Sequence, residues 1–160
     1  MNEKEINKLE NIAQSLIDLN AKIKLLLLLE KAKLEYDKNN YDKCSEICNE
    51  ILKTEPQNTS ALRGLGCVMQ SLQKYEDAIE YYKQALKYSQ KKEIEYTLIG
   101  TVFYIQENFD KAIKYFNKAI NYNDNYDPAY EGKNQSMLEA HLKISDIQES
   151  LIKKNFLNPH

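Results

Sequence analysis

Residues 61–89 read ALRGLGCVMQSLQKYEDAIEYYKQALKYS, and residues 95–123 read EYTLIGTVFYIQENFDKAIKYFNKAINYN. At a shift of 34 residues the two match without a gap: Gly66 with Gly100, Tyr75 with Phe109, Ala78-Ile79 with Ala112-Ile113, Tyr81-Tyr82 with Tyr115-Phe116, Ala85 with Ala119, and Tyr88 with Tyr122. A fixed period of this length is the mark of a repeat architecture. One step back, residues 25–58 carry a weaker copy. Ala32 stands in the glycine column, Tyr41 in the Tyr75 column, Cys44, Cys48 and Ile51 in the Ala78, Tyr82 and Ala85 columns, and Pro56 closes the copy. One step forward, Asp127-Pro128 opens half a copy that runs to residue 143.

Apolar residues recur every three or four positions inside each copy, as in Leu62, Leu65, Val68 and Leu72, then Ala78, Ile79, Tyr82, Ala85 and Leu86. That spacing is helical. Polar breaks at Asn39-Asn40, Gln73-Lys74 and Glu107-Asn108 divide the helices. Acidic residues follow at once (Asp42, Glu76-Asp77, Asp110), where they suit the positive end of a new helix. Each copy therefore reads as helix–turn–helix. A glycine inside a helix costs about 1 kcal/mol relative to alanine. Repeating it at Gly66 and Gly100 implies a steric need met by a neighbouring helix, with Tyr82 and Phe116 filling the space beside the small columns.

This pattern resembles the tetratricopeptide repeat. The resemblance covers residues 25–126 as three units (25–58, 59–92 and 93–126), with 127–157 as C-terminal solvating or capping helices and 1–24 as an N-terminal amphipathic helix. The family's first-helix Trp is replaced by Leu28, Leu62 and Tyr96, and unit two has Gln90 in place of the closing Pro. The resemblance implies an all-α, right-handed superhelical stack whose concave groove, lined by the first helix of each unit, holds a peptide or another protein. The residues it would place in that groove are Lys33, Tyr36 and Asp37; Arg63, Cys67, Gln70 and Ser71; Ile94, Thr97, Leu98, Thr101, Tyr104 and Ile105; and Glu131, Gln135 and Leu138. The unit-three face is apolar and aromatic, so the end helices packing over it is an equal reading, and self-association through this face or the N-terminal helix is the alternative to a peptide groove. Relatives that grip the carboxylates of heat-shock chaperone tails use Lys, Asn and Arg at positions held here by Leu29, Lys33, Gly64, Ile94 and Leu98. Only Lys33 is polar among these, which argues against a chaperone tail as partner.

The ends do not repeat. Ile6, Leu9, Ala13, Leu16 and Ile23 share one face of a helix expected over residues 2–22, which either caps the apolar run 25–29 or pairs with another chain, a homo-oligomer included. Ser145 and Gln148 have the spacing of a capping box, opening a last helix with Ile147, Leu151, Ile152 and Phe156 on one face and residues 158–160 frayed.

Composition excludes several function classes. The 160 residues hold 42% hydrophobic and 29% charged residues with a net charge of −2. Acids and bases are interleaved with no basic stripe, so no nucleic-acid partner is expected. No apolar run approaches the length of a membrane span, and the polar start has no signal-peptide pattern. Three cysteines, an odd number without paired spacing, point to a reducing, cytoplasmic setting. No catalytic arrangement, metal site or cofactor is expected. His160 is terminal and His141 follows helical spacing, Cys44 and Cys48 occupy packing columns, Gly64 and Gly66 lie inside a helix, and Glu93 and Glu95 are expected on a surface turn.

Overall fold

The computed structural model describes residues 2–157, and side chains as far as residue 154. The terminal positions 158–160, His160 among them, and the Phe156 side chain lie outside the described residues. Seven helices follow in order: α1 Glu3–Asp37, α2 Tyr41–Thr54, α3 Thr59–Ser71, α4 Tyr75–Tyr88, α5 Lys92–Ile105, α6 Phe109–Tyr122 and α7 Asp127–Leu157. Successive helices pack on one another, and α1 also meets α3 as α5 meets α7. Each tight connection reverses direction, so α1, α3, α5 and α7 run parallel along one side and α2, α4 and α6 along the other.

The turn within each hairpin is the same object three times. Asn39, Gln73 and Glu107 all have left-handed backbone, with φ of 60°, 59° and 57°. The next amide returns to the last turn of the preceding helix: Asn40 N donates to Glu35 O, Lys74 N to Met69 O and Asn108 N to Phe103 O. The turn residue itself donates to Tyr36 O, Gln70 O or Tyr104 O. This double bond pattern satisfies carbonyls that a helix end leaves unpaired. Side chains assist the helix starts. The Asn58 and Asn108 side chains accept from Ala61 N and Lys111 N at 3.0 and 3.3 Å.

The small columns sit where the helices touch. A Cβ on Gly66 would run into the ring of Tyr82, and one on Gly100 would lie 2.9 Å from Phe116. Gly132 approaches the same Phe116 from the next hairpin, at 2.5 Å, and Gly64 approaches the Cys48 thiol at 2.8 Å. Each ring of the second-helix row is thus clasped by its own first helix and by the following one. Tyr82 and Phe116 are buried as a result, with Ala78, Ala85, Ala112 and Ala119 around them. Cys44, Cys48 and Ile51 play the same part in the first hairpin, against Ala32, Leu65 and Val68.

Two expectations at the ends change. Residues 2–22 do not form a separate helix that folds back on the 25–29 run. They continue into it as one helix, α1, and Ile6, Leu9, Leu16 and Ile23 stay exposed. No glycine, proline or turn residue interrupts 20–25 (Asn20, Ala21, Lys22, Ile23, Lys24, Leu25), so nothing stops propagation. The start of α1 is capped by Asn2 and Glu5, which bond each other's backbone amides at 3.0 and 2.9 Å. Likewise α7 passes through Ser145 and Gln148 without a break, because the preceding Leu142, Lys143 and Ile144 are good helix residues. The end is one long helix, and there Lys143 pairs with Glu107 at the third turn. No helix among the described residues is long and apolar enough to cross a membrane.

Candidate binding groove

The expected groove residues fall on the first-helix side of the stack, in two sets. On the first, α1 and α3 stand apart over α2 and leave a hollow of about 400 Å³. Ala32, Cys44, Cys48 and Gly64 form its floor; Leu26, Leu29, Tyr36 and Cys67 its walls; Glu30, Lys33, Ser60 and Arg63 its rim. The small residues Ala32 and Gly64 account for the space. Four of the expected residues, Lys33, Tyr36, Arg63 and Cys67, line this one hollow. Gln70 and Ser71 join them by hydrogen bonds: the Tyr36 and Ser71 hydroxyls are 2.8 Å apart, and Tyr82 donates to Gln70 Oε1 at 3.1 Å with Cys67 Sγ 3.4 Å from the same hydroxyl. Burial pushes the Tyr36 and Tyr82 phenols upward. Asp37 is exposed beyond them.

The second set does not line the hollow. Ile94, Leu98, Thr101 and Tyr104 are half-buried along α5, and Ile105 is exposed. Leu98 packs against the Ala78–Tyr82 cluster, and Tyr104 rests on Phe109 with ring centres 5.9 Å apart. Thr97 is buried, turned inward. Glu131, Gln135 and Leu138 are exposed on α7.

Glu95 departs most from expectation. It is placed in the first turn of α5, not on a surface turn, and it is fully buried. Its carboxylate oxygens accept no hydrogen bond among the described residues, and Arg63 Nε lies 3.6 Å from one of them. Arg63, half-buried at the hollow's rim, also donates to Thr59 O and Ser60 Oγ at 3.3 Å. The guanidinium therefore links α3 to α5 beside the hollow. Nothing in the local sequence signals this, because the partners sit on different units.

The thiols are graded. Burial pushes Cys48 up to about 12 and raises Cys44 as well, with the hydrogen bond to Cys48 pulling the other way. Both are packing groups with little thiolate character. Cys67 is only partly buried. No group of three or more His, Cys, Asp or Glu side chains among the described residues could hold a metal ion.

Several solved tetratricopeptide domains share this arrangement. The first such domain of human RPAP3 matches with a TM-score of 0.66 at 16% identity, over 76% of this chain and 95% of that one. The Sgt2 domain from Aspergillus fumigatus gives 0.65 at 16% identity, over 74% and 80%. The first domain of Spaghetti (RPAP3), solved with the HSP90 peptide SRMEEVD, gives 0.63 at 15% identity, over 73% and 93%. The fold is accordingly a right-handed superhelical stack of tetratricopeptide helix–turn–helix units. Within that class, the chain belongs to the helical-repeat family described as the TT21 fifth ARM repeats domain, which matches residues 26–131. No curated protein matches the sequence.

Proposed function

We propose that this chain is a protein-interaction module without catalytic activity, which takes a peptide segment of another protein along its first-helix face and seats an apolar side chain in the hollow between α1 and α3. The observation that carries the reading is the hollow itself, apolar inside and ringed by Glu30, Lys33, Ser60 and Arg63. A few polar groups around an apolar pocket fix the orientation of what enters it. The structural relatives support the same use, one of them having been solved with a bound peptide. A chaperone-type carboxylate tail fits poorly. Lys33 is the one cation among the matched positions, and Glu30 stands beside it on the rim. An uncharged or mixed-charge segment with an apolar anchor fits better.

Cys67 makes the reading testable. With iodoacetamide, Cys67 is expected to alkylate in the folded protein, while Cys44 and Cys48 react only on unfolding. Peptides selected from a random library against the purified chain should slow Cys67 alkylation in proportion to occupancy. Ser60→Trp, which fills the mouth, should abolish that protection with an unchanged circular dichroism spectrum. Selected peptides that bind equally to Ser60→Trp and leave Cys67 labelling unchanged would contradict the proposal.

A further inference from the structure

Position 95 breaks the repeat. At the period of 34 it shares a column with Ala61 and Ala129, and all three residues are fully buried. The stack asks only for a small side chain there, so packing does not call for a carboxylate. Burying one costs free energy unless hydrogen bonds or a counter-charge replace its water. Neither Glu95 oxygen accepts a hydrogen bond among the described residues. Its compensation is the Arg63 guanidinium, whose Nε lies 3.6 Å away. Glu93, the other carboxylate of that turn, is bonded by Asn123 instead, at 3.4 Å. Arg63 is the single arginine of the chain. A buried carboxylate paired in this way is a weak source of stability, and its partner lines the hollow between α1 and α3.

We propose that Glu95 is a positioning residue for Arg63: it holds the guanidinium at the rim as a charge-compensated donor, so that this position takes an uncharged carbonyl of the seated segment and turns a carboxylate away. The inference rests on the groove reading and adds its specificity. A guanidinium has five N–H donors in a planar fork. Arg63 Nε donates to Thr59 O and Nη2 to Ser60 Oγ, both at 3.3 Å. Three N–H groups are left without a partner among the described residues, on a side chain that is 26% exposed. An arginine is always charged, and alone it would draw carboxylates into bidentate pairs. Glu95 offsets that charge and leaves the donors free. The α1 rim is balanced as well, Glu30 against Lys33. Two cations and two anions therefore meet at the hollow, and removing the Glu95 charge leaves one cation in excess. An entering carboxylate faces Glu30 and Glu95, whereas a backbone or carboxamide carbonyl needs only the donors.

A single arginine gives a single Nε–H peak in a heteronuclear NMR spectrum, which makes Arg63 its own reporter. Sodium acetate serves as a carboxylate probe that needs no peptide, with sodium chloride at matched ionic strength as control. In the wild type the peak should move no further with acetate than with chloride. In Glu95→Gln it should shift saturably, with acetate bound more tightly by roughly fivefold, the effect of one partly exposed ion pair. Glu95→Ala, which gives unit three the residue of its neighbours, should do the same with an unchanged circular dichroism spectrum. Equal acetate midpoints in wild type and variants, or no saturable shift in the variants, would overturn the proposal. So would a failure of both variants to fold, since Glu95 would then be a group of the core. Random-library selection against Glu95→Gln should enrich Asp and Glu over selection against the wild type, and an unchanged composition would count against the proposal. A library that yields no binder to either chain defeats the groove reading, and the acetate titration still decides the role of Glu95.

Discussion

The repeat stack and the two helical extensions are built from similar residues and end in opposite states. Leucine and isoleucine are abundant in both, yet Leu65 and Ile99 are sealed while Leu16 and Leu27 are 61% and 66% exposed. What differs is the small column. All four glycines of the chain lie at 64, 66, 100 and 132, each facing a ring or thiol of the neighbouring second helix. Residues 3–24 and 137–157 have none. Apolar content makes a helix face sticky; a small side chain at the crossing point lets a second helix approach closely enough to bury it. The extensions have the first property without the second, so their apolar faces stay exposed.

The comparison is broken most sharply at Gly66. Gly66→Val puts two methyls into the Tyr82 ring, which is fully buried and cannot swing away. Overpacking of this kind costs about 3 kcal/mol, a fall in Tm of roughly 6–12 °C for a chain this size. Adding Tyr82→Leu should recover part of the loss. The matching insult in the extension, Leu16→Glu, should move the stack's stability by less than about 0.5 kcal/mol. Thermal unfolding by circular dichroism reads both, and equal losses would mean that the extension folds as part of the stack.

Alkaline pH separates the same two regions by a smaller effect. Cys48 is pushed up to about 12 and the Cys44, Tyr36 and Tyr82 protons are also held more tightly, chiefly because these groups are desolvated. The unfolded chain releases its thiol protons near pH 8.5 and its phenol protons near pH 10. The folded state therefore binds more protons above about pH 8.5, and stability falls as pH rises from there toward 12. Tm measured across that window should decline, and Cys48→Ala should flatten the slope whatever it costs at neutral pH. The extensions contain neither Cys nor Tyr among 3–24 and 137–157, so none of this dependence originates in them.

How much of this was legible beforehand follows the same division. The hairpins and their crossing points were written in the 34-residue period, because the residues that meet (Gly66 with Tyr82, Gly100 with Phe116) lie on adjacent helices whose order the repeat dictates. The continuity of α1 through residue 24 was signalled only by the lack of a stop. The local pattern places Glu95 on a surface turn, because its burial beside Arg63, a unit away, is an approach between units that no local pattern reports. Tyr36, Arg63 and Cys67 were placed on the groove side by their columns. The hollow they share was not visible, because it arises from space left above Ala32 and Gly64.

The smallest effect is expected at the hairpin turn, and there the sign is reversed. Gln73 holds a left-handed φ of 59°, a conformation that costs an L residue about 1–2 kcal/mol, and its side chain is exposed. Glycine adopts that backbone freely, though it also loosens the unfolded chain by about 0.4–1 kcal/mol. The difference leaves Gln73→Gly more stable by about 0.5–1 kcal/mol, a rise in Tm of about 1–4 °C. Asn39 gains less, since asparagine tolerates this backbone, and Glu107 is a poorer probe because it pairs with Lys143. Gln14→Gly, in the middle of the extension, should lower helicity through its cost of about 1 kcal/mol in a helix, without moving the Tm of a dilute sample. A glycine that stabilises at position 73 and merely frays at position 14 would locate the cooperative unit in the stack, since only strain inside a cooperative unit registers in its melting.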